Sequence, residues 1–259
     1  MKAIILAAGR GIRLQDAYLQ PKCLVEIGGR TLLRRQIDSL QRMNLTDIVV
    51  VVGYKSSTVK AACDDGIIFV ENPKFAQTSS LYSLWLAREY LTDGFVVLNS
   101  DVLFHPQILT DLLTSPHEDA LLVCYRGFND LFGPEEMKVK VTNGLVKDIS
   151  KKLSGGDADG ENVGIVKFGS TGARLMVRYL DELIENGAST DWAPRAFREF
   201  VAHHPLHAIS TRGYPWIEID FPEDYQRAQD IIFPQILSCD LEDEQAQPAF
   251  TFESNSQIR

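Results

Sequence analysis

The chain has 259 residues, of which 45% are hydrophobic, and it carries a formal net charge of −9 at pH 7. This length can bury one large core, so we predict a single domain over residues 1–237, followed by an acidic, aperiodic, flexible tail over residues 238–259. The negative charge argues against general affinity for nucleic acid and for anionic membrane surfaces. A polyanionic ligand would therefore need a local cationic site.

The cysteines and the N-terminal run point to the cellular compartment. The four cysteines are widely spaced and form no CxxC pair, so we interpret them as reduced thiols. The apolar run after Met1 and Lys2 stops at Gly9, which is too short for a secretory signal. No apolar run approaches the roughly 20 residues that a membrane-spanning helix needs. We therefore expect a cytoplasmic protein with no membrane partner.

Strand-like and helix-like segments alternate along the first 124 residues. Short, continuously apolar runs typical of strands buried on both faces cover residues 3–8, 48–52, 67–70, 95–98 and 120–124. Amphipathic helical periodicity covers residues 31–43, 79–91 and 106–113. This alternation predicts an α/β fold with a Rossmann-like, mostly parallel mixed sheet flanked by helices, and it places ligands beyond the carboxyl ends of the strands.

The pattern changes after residue 125. Residues 137–142 and 145–150 flank Asn143-Gly144, a pair that suits a type I′ hairpin turn, so a small inserted β region is predicted. A strand at 163–168 and a helix at 171–185 follow. A late strand over 214–220 ends in acidic residues and leads into a helix at Pro222.

The first strand runs into a loop rich in small residues and then into Pro21-Lys22. Small residues let backbone N–H groups approach a triphosphate, and Arg10, Arg13 and Lys22 can neutralise its charge. The alternative is an ordinary glycine-rich turn with solvated arginines. The candidate phosphate-binding residues of this segment are Leu6, Ala7, Ala8, Gly9, Gly11, Arg13 and Lys22.

Two acidic residues stand at the ends of predicted strands. Asp101 follows the strand at 95–98, and Asp220 ends the late strand. Two converging carboxylates can hold one hard cation such as Mg²⁺, which also takes phosphate oxygens and water as ligands. On local sequence alone, Asp101 and Asp220 could instead be caps of the helices that begin near Pro106 and Pro222.

These motifs occur in order over roughly residues 2–232: Gly-x-Gly-x-Arg, Pro-Lys with an apolar run to Gly28-Gly29, Asn-Ser-Asp, and Glu-Ile-Asp-x-Pro-Glu-Asp. Together they resemble the sugar-nucleotide and cytidylyl branch of the nucleotidyltransferase family. The resemblance implies that Arg13 and Lys22 are catalytic and bind nucleotide phosphates, and that Asp101 and Asp220 hold Mg²⁺. It also implies a nucleotide-binding half over about residues 1–124 and an acceptor-binding half over about 125–220.

The segment 71–83 looks most like the phosphocholine and aminoethylphosphonate cytidylyltransferase group. The resemblance implies CTP as the donor. Thr78 and Ser79 stand where side chains and free N–H groups could contact a pyrimidine edge, so both join Asp101 among the candidate nucleotide-binding residues. The simpler interpretation is that one of them caps the next helix.

The implied acceptor is a small phosphorylated or phosphonate molecule. Lys151 resembles the family lysine that meets the acceptor phosphate, and Trp192, Trp216 and Glu218 are candidates for contacting an amine. Large rings are also typical core residues. Further candidates are Tyr125, Phe128, Phe132 and Tyr214 among the aromatics, and Glu135, Glu136 and Asp191 among the acids.

We therefore expect a Mg²⁺-dependent cytidylyltransferase that releases pyrophosphate and uses no protein nucleophile. The alternatives are a sugar-1-phosphate or inositol-phosphate nucleotidyltransferase, and a non-catalytic nucleotide-binding regulatory protein. A homodimer would be in keeping with the family.

Overall fold

A computed structural model of the chain describes residues 1–15, 20–126 and 132–246, with only the backbone for residues 15 and 241–246. The strands are β1 (Lys2–Ala7), β2 (Glu26–Ile27), β3 (Arg30–Thr31), β4 (Ile48–Val52), β5 (Ile68–Glu71), β6 (Phe95–Asn99), β7 (Val102–Phe104), β8 (Ala120–Tyr125), β9 (Lys138–Thr142), β10 (Leu145–Ser150), β11 (Gly160–Phe168), β12 (His207–Ser210) and β13 (Trp216–Glu218).

The α-helices lie between and after these strands. They are α1 (Ile12–Gln15), α2 (Leu32–Arg42), α3 (Ser56–Ala61), α4 (Ser80–Leu86), α5 (Pro106–Thr114), α6 (Ser170–Glu185), α7 (Pro194–His203), α8 (Pro222–Arg227) and α9 (Phe233–Ala246). A π-helical segment, Ala228–Ile232, joins α8 to α9. None of the described helices is both long enough and apolar enough to cross a membrane.

The central sheet is mixed and has the strand order β5-β4-β1-β6-β11-β8-β12-β10-β9. Strands β5, β4, β1 and β6 are parallel, and every residue of β4 is buried, as expected for strands covered on both faces. Parallel strands place their carboxyl ends at one edge of the sheet. The loops after β1 and β6 therefore lie next to each other.

The second half of the sheet is mainly antiparallel. Strand β11 pairs antiparallel with both β6 and β8, and the β9–β10 hairpin joins the same sheet. The hairpin turn has Asn143 and Gly144 at φ 52° and 74°, in agreement with the predicted type I′ turn. The start of β11 also pairs with β9. The β region predicted as an insertion is thus a continuation of the central sheet.

Helices cover both faces of this sheet. Alternate residues of β1 enter two separate cores, with Ile4 and Leu6 in one and Ala3 and Ile5 in the other. Helices α4, α6 and α7 pack on the first face, and α2 and α5 pack on the second. Burial of both faces explains why these strands are apolar throughout and do not alternate.

The C-terminal helix closes a third, smaller core beside the short β7–β13 ribbon. Gly28 has φ 55°, and a Cβ atom there would collide with the ring of Phe233, which opens α9. Asp240, further along α9, lies 3.1 Å from the buried imidazole of His105. Helix α9 continues to Ala246, so residues 238–246 of the predicted tail are helical. Contacts with Gly28 and His105 hold α9 in place. The weak hydrophobic periodicity of this segment did not indicate a helix.

Candidate active site

A cavity of about 550 Å³ opens at the carboxyl ends of β1 and β6. It brings together most of the candidate residues, including Arg10 and Glu135. Those that line it are Leu6, Ala7, Ala8, Gly9, Gly11, Arg13, Lys22, Thr78, Ser79, Asp101, Lys151, Trp192, Glu218 and Asp220. The two predicted halves of the chain therefore share one site.

Backbone contacts bring the two strand-end acids together. The Gln36 side-chain N–H₂ group donates to the carbonyls of Asn99 and Val102, each at 2.9 Å, and so fixes the turn that carries Asp101. Strand β13 pairs with β7 just beyond that turn, and the Ile219 N–H donates to the Asp101 carbonyl at 3.0 Å. As a result, Asp101, Glu218 and Asp220 offer carboxylate oxygens that all lie within 4.8 Å of one another.

Lys22 lies against this acidic cluster. Its ammonium is 2.7 Å from Asp101 Oδ2 and forms a second ion pair with Asp220, and its side chain is only 13% exposed. Burial acts to lower the pKa of Lys22, but the charges of Asp101 and Asp220 outweigh it and raise the pKa. Burial likewise acts to raise the pKa of Asp220, yet Lys22 and then Arg13 lower it. Lys22 is therefore cationic and Asp220 anionic at neutral pH.

Glu218 differs from its two neighbours. Burial, followed by the charges of Asp101 and Asp220, raises its pKa to about 8. Glu218 ends β13 and Asp220 lies two residues beyond it, with carboxyl oxygens of the two within 4.8 Å of each other. Glu218 is thus mostly protonated at neutral pH.

The donor set fits a divalent, oxygen-preferring cation. Asp101 Oδ1 is buried and has no hydrogen-bond partner among the described residues. A buried carboxylate oxygen normally has a partner, so this atom is available for a cation. The carboxylates of Asp101 and Asp220, with the Glu218 carboxyl beside them, offer oxygen ligands of the kind that Mg²⁺ takes. In this respect Asp101 and Asp220 meet the expectation for a metal site.

Neither aspartate caps a helix. The N-cap of α5 is His105, whose Nδ1 accepts from the Gln107 N–H at 3.1 Å. At the start of α8, the Asp224 carboxylate accepts from the N–H groups of Asp220 and Phe221 at 3.0 and 2.8 Å. The capping alternatives for Asp101 and Asp220 are therefore wrong, and both carboxylates face the cavity instead.

The glycine-rich loop packs directly on Lys22. Gly11 has φ 61°, and a Cβ atom there would lie 2.8 Å from Lys22 Cβ. Gly9 has open space at the same position, with no atom within 4 Å. The sequence indicated close approach to phosphates as the reason for both glycines. The structure gives Gly11 another role, because its lack of a side chain lets the loop contact Lys22.

A chain of charges crosses the cavity mouth. Arg13 lies 3.4 Å from Asp220 and 3.1 Å from Glu135, and Glu135 also pairs with Lys151 at 3.2 Å. The hydrogen bond from Lys151, together with its charge and that of Arg13, lowers the pKa of Glu135. The Lys151 ammonium stands 4.5 Å from the ring centre of Trp192, which is 51% exposed. Glu135 thereby links a candidate phosphate ligand to the candidate acceptor lysine.

Trp216 was predicted to contact the acceptor, but it does not line the cavity. It pairs with Phe104 in the β7–β13 ribbon and packs against the core beneath α2 and α5. Trp216 lies two residues before Glu218, and a strand advances about 3.3 Å per residue, so the ring is carried away from the site. Of the other candidate rings, Tyr214 stacks on His105 at 4.6 Å, and Phe128 lies outside the described residues.

Thr78 and Ser79 are at the cavity wall, at the start of α4. Ser79 occupies the N-cap position but makes no capping hydrogen bond with its side chain. Its N–H group donates to the Ser189 carbonyl at 3.0 Å, so it is not free as the sequence suggested. Asn72 and Ser83 also line this wall and were not among the predicted site residues. Both are buried polar residues whose position depends on contacts across the fold.

Comparisons with known proteins show the family of the chain. The family model of the MobA-like NTP transferase domain matches residues 3–232. The choline-phosphate cytidylyltransferase of Streptococcus pneumoniae is 26% identical over 240 residues, covering 90% of this chain and 98% of that protein. The CTP:phosphoglutamine cytidylyltransferase of Campylobacter jejuni is 24% identical over 252 residues, covering 87% and 98%.

The fold comparison shows the same architecture in a solved structure. The solved structure of the CTP:phosphocholine cytidylyltransferase from Streptococcus pneumoniae superposes with a TM-score of 0.73 at 24% identity, covering 89% of this chain and 98% of that one. Nucleotidyltransferases of this kind generally use a divalent metal, and the acidic cluster offers a place for one. With the family match spanning most of its length, the chain belongs to the MobA-like NTP transferase family and carries a nucleotidyltransferase domain.

Proposed function

We propose that this protein is a Mg²⁺-dependent cytidylyltransferase that transfers CMP from CTP to the phosphate or phosphonate of a small acceptor and releases pyrophosphate. One observation carries the proposal: Asp101 and Asp220, separated by more than a hundred residues, converge on Lys22 beside the loop after β1. The names of the similar cytidylyltransferases support CTP as the donor.

In this proposal the nucleotide lies along the loop that follows β1. The backbone of Leu6 to Gly11 binds the triphosphate, and Arg13 pairs with its outer oxygens. Asp101 and Asp220 would hold Mg²⁺, which neutralises phosphate charge when it is bound. Lys22 moves from its carboxylate partners toward the α-phosphate and offsets the charge that develops there.

The acceptor enters from the side of Lys151. Its ionised phosphate oxygen attacks the α-phosphorus in line with the bond to pyrophosphate; the new O–P bond forms as the old one breaks. The attacking oxygen is already anionic, so the step needs neither a protein nucleophile nor a general base. Lys151 holds the acceptor phosphate, and Trp192 covers the rest of a small acceptor.

The test is a matrix of four nucleoside triphosphates against several acceptors, read as pyrophosphate release with Mg²⁺. The acceptors are phosphocholine, aminoethylphosphonate, inositol-1-phosphate and a sugar-1-phosphate. We expect turnover with CTP and a small phosphocholine- or phosphonate-like acceptor. An Asp101→Asn enzyme, assayed in parallel, controls for contaminating activity.

Each other outcome favours a stated alternative. Turnover confined to the sugar phosphate or to inositol phosphate would show that the protein is a sugar-1-phosphate or inositol-phosphate nucleotidyltransferase. Tight nucleotide binding without pyrophosphate release from any acceptor would favour a regulatory protein on the same fold.

A further inference from the structure

The wall of the cavity beside α4 carries a hydrogen-bond network centred on Asn72. Asn72 follows β5, is 1% exposed, and lines the cavity together with Thr78 and Ser83. Its backbone is fixed on both sides, since its N–H donates to the Val52 carbonyl at 2.7 Å and its carbonyl accepts from the Phe75 N–H at 3.3 Å. The side chain therefore has a defined direction.

The contacts of the Asn72 amide determine which of its atoms faces which partner. The backbone N–H of Lys74 can only donate, and it lies 2.9 Å from Asn72 Oδ1. The N–H₂ group must then face the other way, where it donates to Thr78 Oγ1 and to Ser83 Oγ, each at 3.1 Å. Both hydroxyl oxygens are therefore acceptors toward Asn72.

The protons of both hydroxyls are also committed. Thr78 donates to the Lys74 carbonyl at 2.9 Å, and Ser83 donates to the Ser79 carbonyl at 3.4 Å. A hydroxyl has one proton and two lone pairs, so each oxygen keeps one lone pair and has no proton to offer. Toward a ligand, the two side chains can act only as acceptors.

The neighbouring backbone donors of Ser79 and Leu81 are used as well. The N–H groups of Ser79 and Leu81 donate to the carbonyls of Ser189 and Asp191 at 3.0 and 3.2 Å. The wall therefore combines two hydroxyl oxygens, each with one remaining lone pair, with backbone donors that already have partners. This is the arrangement that matches a hydrogen-bond donor on the ligand.

We propose that Thr78 and Ser83, positioned by Asn72, form an acceptor-only patch that selects a pyrimidine bearing an exocyclic amino group over one bearing a carbonyl at the same place. The inference rests on the proposed function and explains how CTP would be chosen over UTP. Cytosine presents an N–H₂ donor at the position where uracil presents a carbonyl oxygen. The uracil oxygen would face oxygens that can only accept, so no hydrogen bond would form between them.

The test compares CTP with UTP in binding and in turnover for the wild type and for a Thr78→Val, Ser83→Ala double variant. Valine matches the shape of threonine, so the change removes the oxygen and keeps the volume. In the double variant we expect the preference for CTP over UTP to be about ten- to a hundredfold lower than in the wild type, mostly because CTP is bound and used less well. Thr110→Val, at a hydroxyl bonded within α5, is the matched control and should leave the preference unchanged.

Asn72→Ala tests the positioning role separately. Without the amide, the weakly bonded Ser83 hydroxyl can turn its proton toward the ligand, so UTP use should rise and the preference should fall. The preference is measured as the ratio of CTP use to UTP use, on enzyme with native thermal stability. A substitution that is merely structural does not change this ratio. Calorimetric titration with CTP and UTP in the absence of acceptor gives a readout that does not depend on the reaction.

The outcomes separate the two proposals. A wild type that binds UTP as tightly as CTP, or a folded double variant with an unchanged preference, would overturn the acceptor-only patch. Preferential CTP binding that is lost in the double variant, without pyrophosphate release from any acceptor, would keep the patch and reject the transferase.

Discussion

The two ends of the cavity are built in different ways. At the proposed nucleotide end, Gly11 packs on Lys22, and Asn72, which accepts from the Lys74 N–H, donates to two hydroxyls. At the proposed acceptor end, the wall consists of long or exposed side chains, with Lys151 shared between Glu135 and the half-exposed ring of Trp192. One end is organised by the backbone, and the other is held by ion pairs that solvent can reach.

This difference indicates a division of labour. A triphosphate is common to every nucleotide, so a rigid cradle can be formed before the ligand arrives at little cost. Acceptors vary among related enzymes, and exposed ion pairs of Arg13, Glu135 and Lys151 are individually weak, about 0–1 kcal/mol each. Changes at the nucleotide end should therefore affect the chemical step and stability, and changes at the acceptor end should affect acceptor binding.

Lys22→Met should give the largest effect. Removal of the ammonium takes away the charge that offsets the α-phosphate in the transition state, and we expect kcat to fall about 10²–10³-fold. Steady-state pyrophosphate release measures this loss. Lys60→Met, at an exposed lysine paired with Glu71, is the matched control and should retain full turnover. Near-normal turnover of the Lys22 variant would remove Lys22 from the mechanism.

Lys151→Met should act on the acceptor alone. A hydrogen bond to a charged group is worth about 1.5–3 kcal/mol, so KM for the acceptor should rise about ten- to a hundredfold while KM for CTP stays unchanged. Separate titrations of the two substrates measure the split. Lys152→Met, at the exposed neighbouring lysine, serves as the control. A rise in KM for CTP of similar size would contradict the separation of the two ends.

Gly11→Ala should have the smallest effect and should appear mainly in stability. The left-handed backbone at φ 61° and the close contact with Lys22 Cβ should together lower the free energy of unfolding by about 1–2 kcal/mol. Gly9→Ala is the matched control, because its Cβ would have no neighbour within 4 Å in the free protein. Denaturant unfolding without ligand compares the two. Equal losses would show that the loop is not held by its contact with Lys22.

Local patterns in the sequence determined most of the fold and much of the site. The apolar runs of β1, β4 and β6, the Asn143-Gly144 turn, and the acids at strand ends all follow from periods and turn preferences that act over a few residues. Because parallel strands end at one edge of a sheet, the loop after β1 and Asp101 could be placed together before any coordinates were known.

Only the tertiary structure decided which side chains meet across the cavity. Arg13 and Glu135 are separated by 122 residues, and their contact depends on how β9 and β11 are registered in the sheet. The position of a ring such as Trp216 or Trp192 depends in the same way on packing. The directions of the protons around Asn72 arise from bonds between β5, the following turn and α4, so no local pattern in the sequence encodes them.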